Sequence, residues 1–210
     1  MVKIAVLVSG GGTNLQALLD AQKAGQIPGV EFVLVISNRK QAYALERARL
    51  AGIEGVYLPT VRYENREEYH MALRDLLLDH HIDVILLAGF LVVLGKPVME
   101  AFAGRILNIH PSLIPSFCGD GFYGLKVHEE VLRRGVKVTG ATVHFVDEGT
   151  DTGPIILQKA VDVAQDDTPE TLQKRVMEQA EWVIFPKAVA LFAAGRLKIE
   201  NGRVRILEEE

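Results

Sequence analysis

Over the first ninety residues, short β-branched runs alternate with amphipathic stretches, which restricts the chain to repeated strand–helix units laid onto a parallel sheet. Strands are predicted at Lys3–Val8, Phe32–Ser37, Val56–Leu58 and Val84–Ala88. The fourth run is apolar on successive positions, the pattern of a central strand covered by helices on both faces. Between the strands, Leu15–Lys23, Ala42–Ala51 and Arg66–His80 carry apolar residues at three- and four-residue spacing, and Gly52 stops the second. The expected fold class is therefore α/β: a Rossmann-like open, mostly parallel twisted sheet with helices on both faces.

The second half adds a strand at Arg105–Ile109, then an irregular stretch from Pro111 to Gly124 that reads as a long functional loop. A helix at Leu125–Arg133 leads to strands at Val138–Val146 and Ile155–Val163. One long helix is predicted over Thr168–Ala194, with Thr168 as N-cap and Pro169 at the first helical position. Leu197–Ile199 and Val204–Leu207 flank Asn201-Gly202, a strong hairpin signal. No repeat or flexible linker interrupts the pattern. A single domain over residues 1–210 is expected, with an N-terminal lobe (1–100) and a C-terminal lobe (101–210).

Acidic side chains outnumber basic ones by 27 to 23, a net charge of −4, so no global positive field exists to hold a nucleic-acid backbone. The longest apolar runs fall far short of the roughly 18 residues that span a bilayer. The single cysteine, Cys118, forms no internal disulfide and no thiolate metal site, which fits a reducing, cytoplasmic setting. The expectation is no nucleic acid, no membrane and no metal, with a monomer or a homodimer both open.

After the first strand stands Ser9-Gly10-Gly11-Gly12-Thr13-Asn14. Its glycines allow close backbone approach, and the N–H groups at the helix start together with the Thr13 hydroxyl suit an anion such as phosphate. It matches neither the dinucleotide fingerprint, which asks for glycine where Leu15 stands, nor the nucleoside-triphosphate loop; a tight turn that binds nothing remains open. Asn108 and His110, two apart on a strand, share a face at its carboxyl end, where open α/β sheets bind ligands. Pro111 and Pro115 stiffen the exit of that strand, which favours a site over a core histidine satisfied by backbone. Downstream, Asp147-Glu148-Gly149-Thr150-Asp151-Thr152-Gly153-Pro154 forms an acidic, turn-rich loop.

Through Asn108-Ile109-His110-Pro111-Ser112-Leu113 and Asp151-Thr152-Gly153-Pro154, the chain resembles the folate-dependent formyltransferases, and within them the purine-biosynthetic branch. Ser9–Gln16, Ser37-Asn38-Arg39, Leu87-Ala88-Gly89-Phe90 and Val143-His144-Phe145-Val146 extend the resemblance over nearly the whole chain. It implies that Asn108, His110 and Asp151 form the catalytic group, moving a formyl group from 10-formyltetrahydrofolate to the amine of glycinamide ribonucleotide without a metal. By the same resemblance, Gly12, Thr13 and Asn14 hold the ribonucleotide phosphate and Glu181 touches that substrate. Arg66, Leu91, Val92, Val93, Leu94, Asn108, Asp147 and Asp151 surround the folate. The chemistry fits: an amide and a protonated imidazole stabilise a tetrahedral oxyanion, and Asp151 beside His110 is expected to raise its pKa.

Three departures stand out. Residues 117–125 are longer than the family segment and carry Cys118 in place of a proline, giving either a mobile lid or a fixed wall. The segment before Glu181 is one residue longer, which leaves a solvated helix carboxylate as the alternative for Glu181, and Trp182 replaces a histidine. Val92 stands where some members have arginine. His144 reads as a support for the catalytic loop or as a core histidine. The competing functions are a 10-formyltetrahydrofolate hydrolase, transfer to another amine, and a non-catalytic nucleotide or folate sensor.

Overall fold

The computed structural model describes residues 1–208, so the last two residues of the expected 1–210 span lie outside it. Strands β1 (Val2–Val8), β2 (Val30–Ser37), β3 (Glu54–Tyr57), β4 (Val84–Leu87), β5 (Ile106–His110), β6 (Val138–Phe145) and β7 (Ile155–Asp162) form one sheet in the order β3-β2-β1-β4-β5-β6-β7. Strands β1 to β5 pair in parallel, and β6 and β7 join as antiparallel strands. The hairpin β8 (Leu197–Glu200) and β9 (Arg203–Ile206) stands as a separate ribbon, as Asn201-Gly202 indicated.

Alternation along β1 explains the layers. Ile4, Val6 and Val8 enter one apolar core, with α1 (Thr13–Lys23), α2 (Tyr43–Leu50), α5 (Leu125–Arg134), α6 (Pro169–Val176) and α7 (Trp182–Ala193). Ala5 and Leu7 enter the opposite core, under α3 (Arg66–Asp79) and α4 (Lys96–Ala101). Each fully buried Leu, Ile or Val on these faces contributes about 1.5–3 kcal/mol of transfer free energy, so covering both faces is what makes the parallel sheet stable.

Two differences from the sequence expectation have local causes. Helix α4 and the 3-10 turn Thr60–Arg62 are only a turn or two long, too short to show periodicity. The single helix expected over Thr168–Ala194 is interrupted: α6 ends at Val176, Met177–Glu181 form a π-turn, and α7 resumes at Trp182. A π-turn accommodates one extra residue inside a helix, and this one falls on the segment expected from the resemblance to be one residue longer. Thr168 caps α6 as expected, accepting from the Thr171 N–H.

The chain runs outward from β1 to β3 and returns to β4 on the other side of β1. Loops leaving the carboxyl ends of β1 and β4 therefore emerge side by side, opening the crevice where such sheets bind ligands. The Ser9 N–H donates to the Gly89 carbonyl at 3.0 Å, tying the two exits together. Gly12 shapes the first exit: it has φ 72°, and a Cβ there would lie 2.7 Å from that of Ala44 on α2. Gly12→Ala combines a left-handed backbone cost of about 1–2 kcal/mol with this overlap. A loss of about 2–3 kcal/mol in urea denaturation is expected; an unchanged midpoint would contradict the packing described.

Candidate active site

Leu107 and Ile109 of β5 point into the first core, so alternation turns Asn108 and His110 to the opposite face at the strand's carboxyl end. Asn108 is the register partner of His144 on β6. His144 donates from Nδ1 to the Phe145 carbonyl at 2.8 Å, leaving Nε2 to accept from Asn108 Nδ2 at 3.1 Å. Asp151 arrives from the β6–β7 loop in a left-handed conformation, φ 58°. Its Oδ1 lies 3.4 Å from Asn108 Nδ2 and 3.6 Å from His144 Nε2, and its Oδ2 lies 3.4 Å from His110 Nδ1. Asn108 and His110, more than forty positions upstream, thus converge with His144 on one half-buried carboxylate.

Two backbone groups of the longer loop complete the cluster. The Gly119 N–H donates to Asp151 Oδ2 at 3.0 Å, and His110 Nε2 donates to the Phe117 carbonyl at 2.9 Å. Thr150 also donates to Asp120 at 2.9 Å, so this loop is anchored to the Asp147–Asp151 loop at two points.

Burial pushes the Asp151 carboxyl up, but the neighbouring His144 and His110 rings and the Gly119 N–H outweigh it and hold the group below its ordinary value. For His110 the balance corrects the expectation. Burial lowers its pKa, and although Asp151 and the Phe117 carbonyl pull upward, desolvation wins. At rest the pair is a carboxylate beside a neutral ring whose Nε2 carries the proton, leaving the Nδ1 lone pair facing Asp151.

These groups line a cleft of about 330 Å³. Leu91, Val92, Val93 and Leu94, which follow β4, line it together with Asn108, His110, Asp147 and Asp151. Asp147 Oδ1 accepts from Thr152 Oγ1 at 2.6 Å and from the Gly149 N–H at 3.2 Å, so its carboxylate shapes its own loop. Arg66 does not line the cleft; it is the exposed first residue of α3.

A second cluster lies at the β1 exit. Gly12 precedes α1 without a side-chain cap, so the first-turn N–H groups point outward as anion donors. Thr13 Oγ1 makes only a weak contact to Met177 Sδ at 3.6 Å, and Asn14 Nδ2 donates to Glu181 Oε2 at 2.6 Å. Glu181 is buried rather than solvated, because the π-turn aims it at α1. Burial raises its pKa to about 7, opposed by Asn14. Asn14 Oδ1 is buried without a partner, leaving acceptor capacity beside the glycine loop.

The family model for formyl transferase matches residues 2–189. The chain belongs to the formyl transferase family. It is 40% identical over 201 residues to phosphoribosylglycinamide formyltransferase of Haemophilus influenzae, covering 96% of this chain and 92% of that protein. It superposes on the crystal structure of glycinamide ribonucleotide transformylase 1 from Symbiobacterium toebii with TM-score 0.93 and 48% identity, covering 99% and 95% of the two chains. It is also 44% identical over 209 residues, 99% of this chain, to the trifunctional purine biosynthetic protein adenosine-3 of Bos taurus, and spans about a fifth of that protein's length (20%).

For this formyl transferase, sequence reasoning missed the Phe117 carbonyl and the Gly119 N–H, since backbone groups carry no side-chain signature. It also missed His70, which donates from Nε2 to the Val93 carbonyl at 3.1 Å, though its place four residues after Arg66 put it on the same helix face. Among the described residues, no group of three or more His, Cys, Asp or Glu could hold a metal ion, and no helix is long and apolar enough to cross a membrane.

Two measurements test these electrostatics. The folded-state pKa of Glu181 lies above its unfolded value, so its stabilising contribution is complete below the unfolded pKa and is lost as pH rises through about 7. Wild-type stability is expected to fall relative to Glu181→Gln by a few kcal/mol, about 3, between roughly pH 4.5 and 8, at about 1.4 kcal/mol per unit. Parallel curves would refute the buried carboxyl. In histidine-resolved NMR titrations, His110 should titrate below the ordinary value near 6.5, and lower still in Asp151→Asn, which removes the upward pull of the carboxylate.

Proposed function

We propose that this chain is a phosphoribosylglycinamide formyltransferase of purine biosynthesis. It moves the formyl group of 10-formyltetrahydrofolate to the amine of glycinamide ribonucleotide, giving formylglycinamide ribonucleotide and tetrahydrofolate. The observation that carries this reading is the convergence of Asn108, His110 and Asp151 in one cleft, beside a separate anion-suited loop. Relatives of this name matching nearly end to end support it.

The two clusters divide the substrates. The first-turn N–H groups after Gly12 with Thr13 and Asn14 take the ribonucleotide phosphate, and Glu181 accepts from the same substrate's hydroxyls. Leu91–Leu94 form the folate wall; Val92 contributes through its backbone, and Asp147 holds its loop against the ligand. Arg66 serves the carboxylate tail of the folate from outside the cleft. The folate is a cosubstrate consumed in each turnover, and this chemistry requires no metal. Residues 1–210 act as one formyltransferase domain.

The substrate amine supplies the nucleophile. Its nitrogen bonds to the formyl carbon, the carbonyl electrons move to oxygen, and the tetrahedral centre collapses by breaking the bond to N10. One proton passes from the amine to N10. The lone pair on His110 Nδ1 is placed to receive that proton, and Asp151 stabilises the imidazolium formed. The long contact between Asn108 Nδ2 and Asp151 leaves an amide hydrogen for the oxyanion, while His144 keeps the amide oriented.

The test follows tetrahydrofolate and formylated product together, with and without glycinamide ribonucleotide. Equal formation of both, strictly dependent on the ribonucleotide, is expected. Free formate without it would indicate a hydrolase, and no turnover would favour another amine or a sensor. His110→Ala should lower turnover about 10²-fold or more with little change in ribonucleotide binding.

A further inference from the structure

Phe90 to Gly95, the segment containing the folate wall, forms neither helix nor strand, and Leu91 and Val93 are 43% and 55% exposed. Among the described residues, the N–H groups of Val92, Val93 and Leu94 make no hydrogen bond, and these three residues line the cleft. Such a stretch recognises a flat heterocycle by backbone only if something else fixes its direction.

Two buried side chains do so. Ser9, at the exit of β1 and 2% exposed, accepts the Leu91 N–H at Oγ (2.9 Å) and donates to Asn38 Oδ1 (2.6 Å). His70 on α3 is 3% exposed and donates from Nε2 to the Val93 carbonyl at 3.1 Å; a carbonyl can only accept, so this nitrogen holds the proton. The ring fits with little freedom. A Cβ on Gly95 would lie 2.5 Å from its Nδ1, and the Tyr69 ring meets it edge-on at 5.1 Å. One pin comes from the strand that carries the ribonucleotide loop, the other from the helix that begins at Arg66.

The geometry points to Ser9 and His70 as positioning residues for folate: by holding the Leu91 N–H and the Val93 carbonyl, they set the direction in which the free backbone donors of residues 92–94 meet the pteridine. Neither touches the reacting atoms. The inference rests on the folate reading proposed above for this wall. His70 therefore acts on folate affinity through the backbone, and the donor at Nε2 matters rather than the bulk of the ring.

The experiment compares wild type, Ser9→Ala, His70→Leu and His70→Gln. It reads kcat, KM for each substrate, the calorimetric Kd of tetrahydrofolate under anaerobic conditions, and Tm. His70→Leu and Ser9→Ala should each raise KM for 10-formyltetrahydrofolate and Kd for tetrahydrofolate about tenfold, the effect of losing one buried hydrogen bond. Both kcat and KM for glycinamide ribonucleotide should stay within about twofold. His70→Gln places an amide N–H near the Nε2 position and should restore folate affinity to within about threefold of wild type. Unchanged folate constants in His70→Leu and Ser9→Ala would overturn the inference. So would equal losses for both substrates that track a falling Tm without rescue by Gln. A wild type that binds tetrahydrofolate without formylating glycinamide ribonucleotide would sink the function and leave the Kd series to decide this inference; no binding of tetrahydrofolate would sink both.

Discussion

The placement of β4 beside β1 governs everything at the working end of the molecule. Three βα units wind outward from β1, and the chain must then cross to the other side of that strand before continuing through β4 and β5. The helices that follow β1 and β4 lie on opposite faces of the sheet, so no helix covers the gap between the two exits. The glycine loop and the Leu91–Leu94 segment are the two lips of this gap, and β5 delivers Asn108 and His110 one strand further along. Two ligands bound at these lips would meet at one topological break.

Burial sets the electrostatics of the cluster around Asp151. A half-exposed histidine beside a carboxylate would be held protonated, as the sequence suggested. His110 is 4% exposed, and removing it from water costs the imidazolium more than Asp151 returns at 3.4 Å. In the reaction proposed for this site, the ring would gain its charge during turnover instead of beforehand. Asp151 stays ionised, its oxygens accepting from the Gly119 N–H and the Asn108 amide. The longer loop thus belongs to the cluster: it supplies one donor to Asp151 and the acceptor that fixes the His110 tautomer.

The sheet was legible in the sequence because burial writes a short period into every strand. The runs at Lys3–Val8 and Val84–Ala88 lie within a residue of β1 and β4, and the pairing of Asn108 with His110 on one face follows from alternation alone. What the sequence concealed has no periodic signature. Helix α4 is too short, and the Phe117 and Gly119 contacts are made by backbone in left-handed conformations. The net direction of the His110 shift depends on how deeply the ring is buried, which no motif encodes. His70 and Ser9 bear on the site only through the hydrogen bonds they make to another segment's backbone, so their letters carry little until the wall they hold is located.

The π-turn before Glu181 shows how a helix can hold an extra residue without losing a side chain's direction. In a continuous α-helix each added residue rotates everything beyond it by about 100°, which would swing Glu181 away from α1 or Trp182–Ala193 out of the core. Closing the extra residue into the π-turn Met177–Glu181 confines that rotation to one turn. Glu181 then reaches Asn14 at 2.6 Å while Ile184, Phe185, Ala188 and Val189 remain in the apolar core. The strain of a wider turn is tolerated here because both ends are fixed, by the Thr168 cap upstream and by the buried face of α7 downstream. The carboxyl is consequently held dry beside the glycine loop, where a ligand with hydroxyl donors would satisfy the acceptor that Asn14 leaves unfilled.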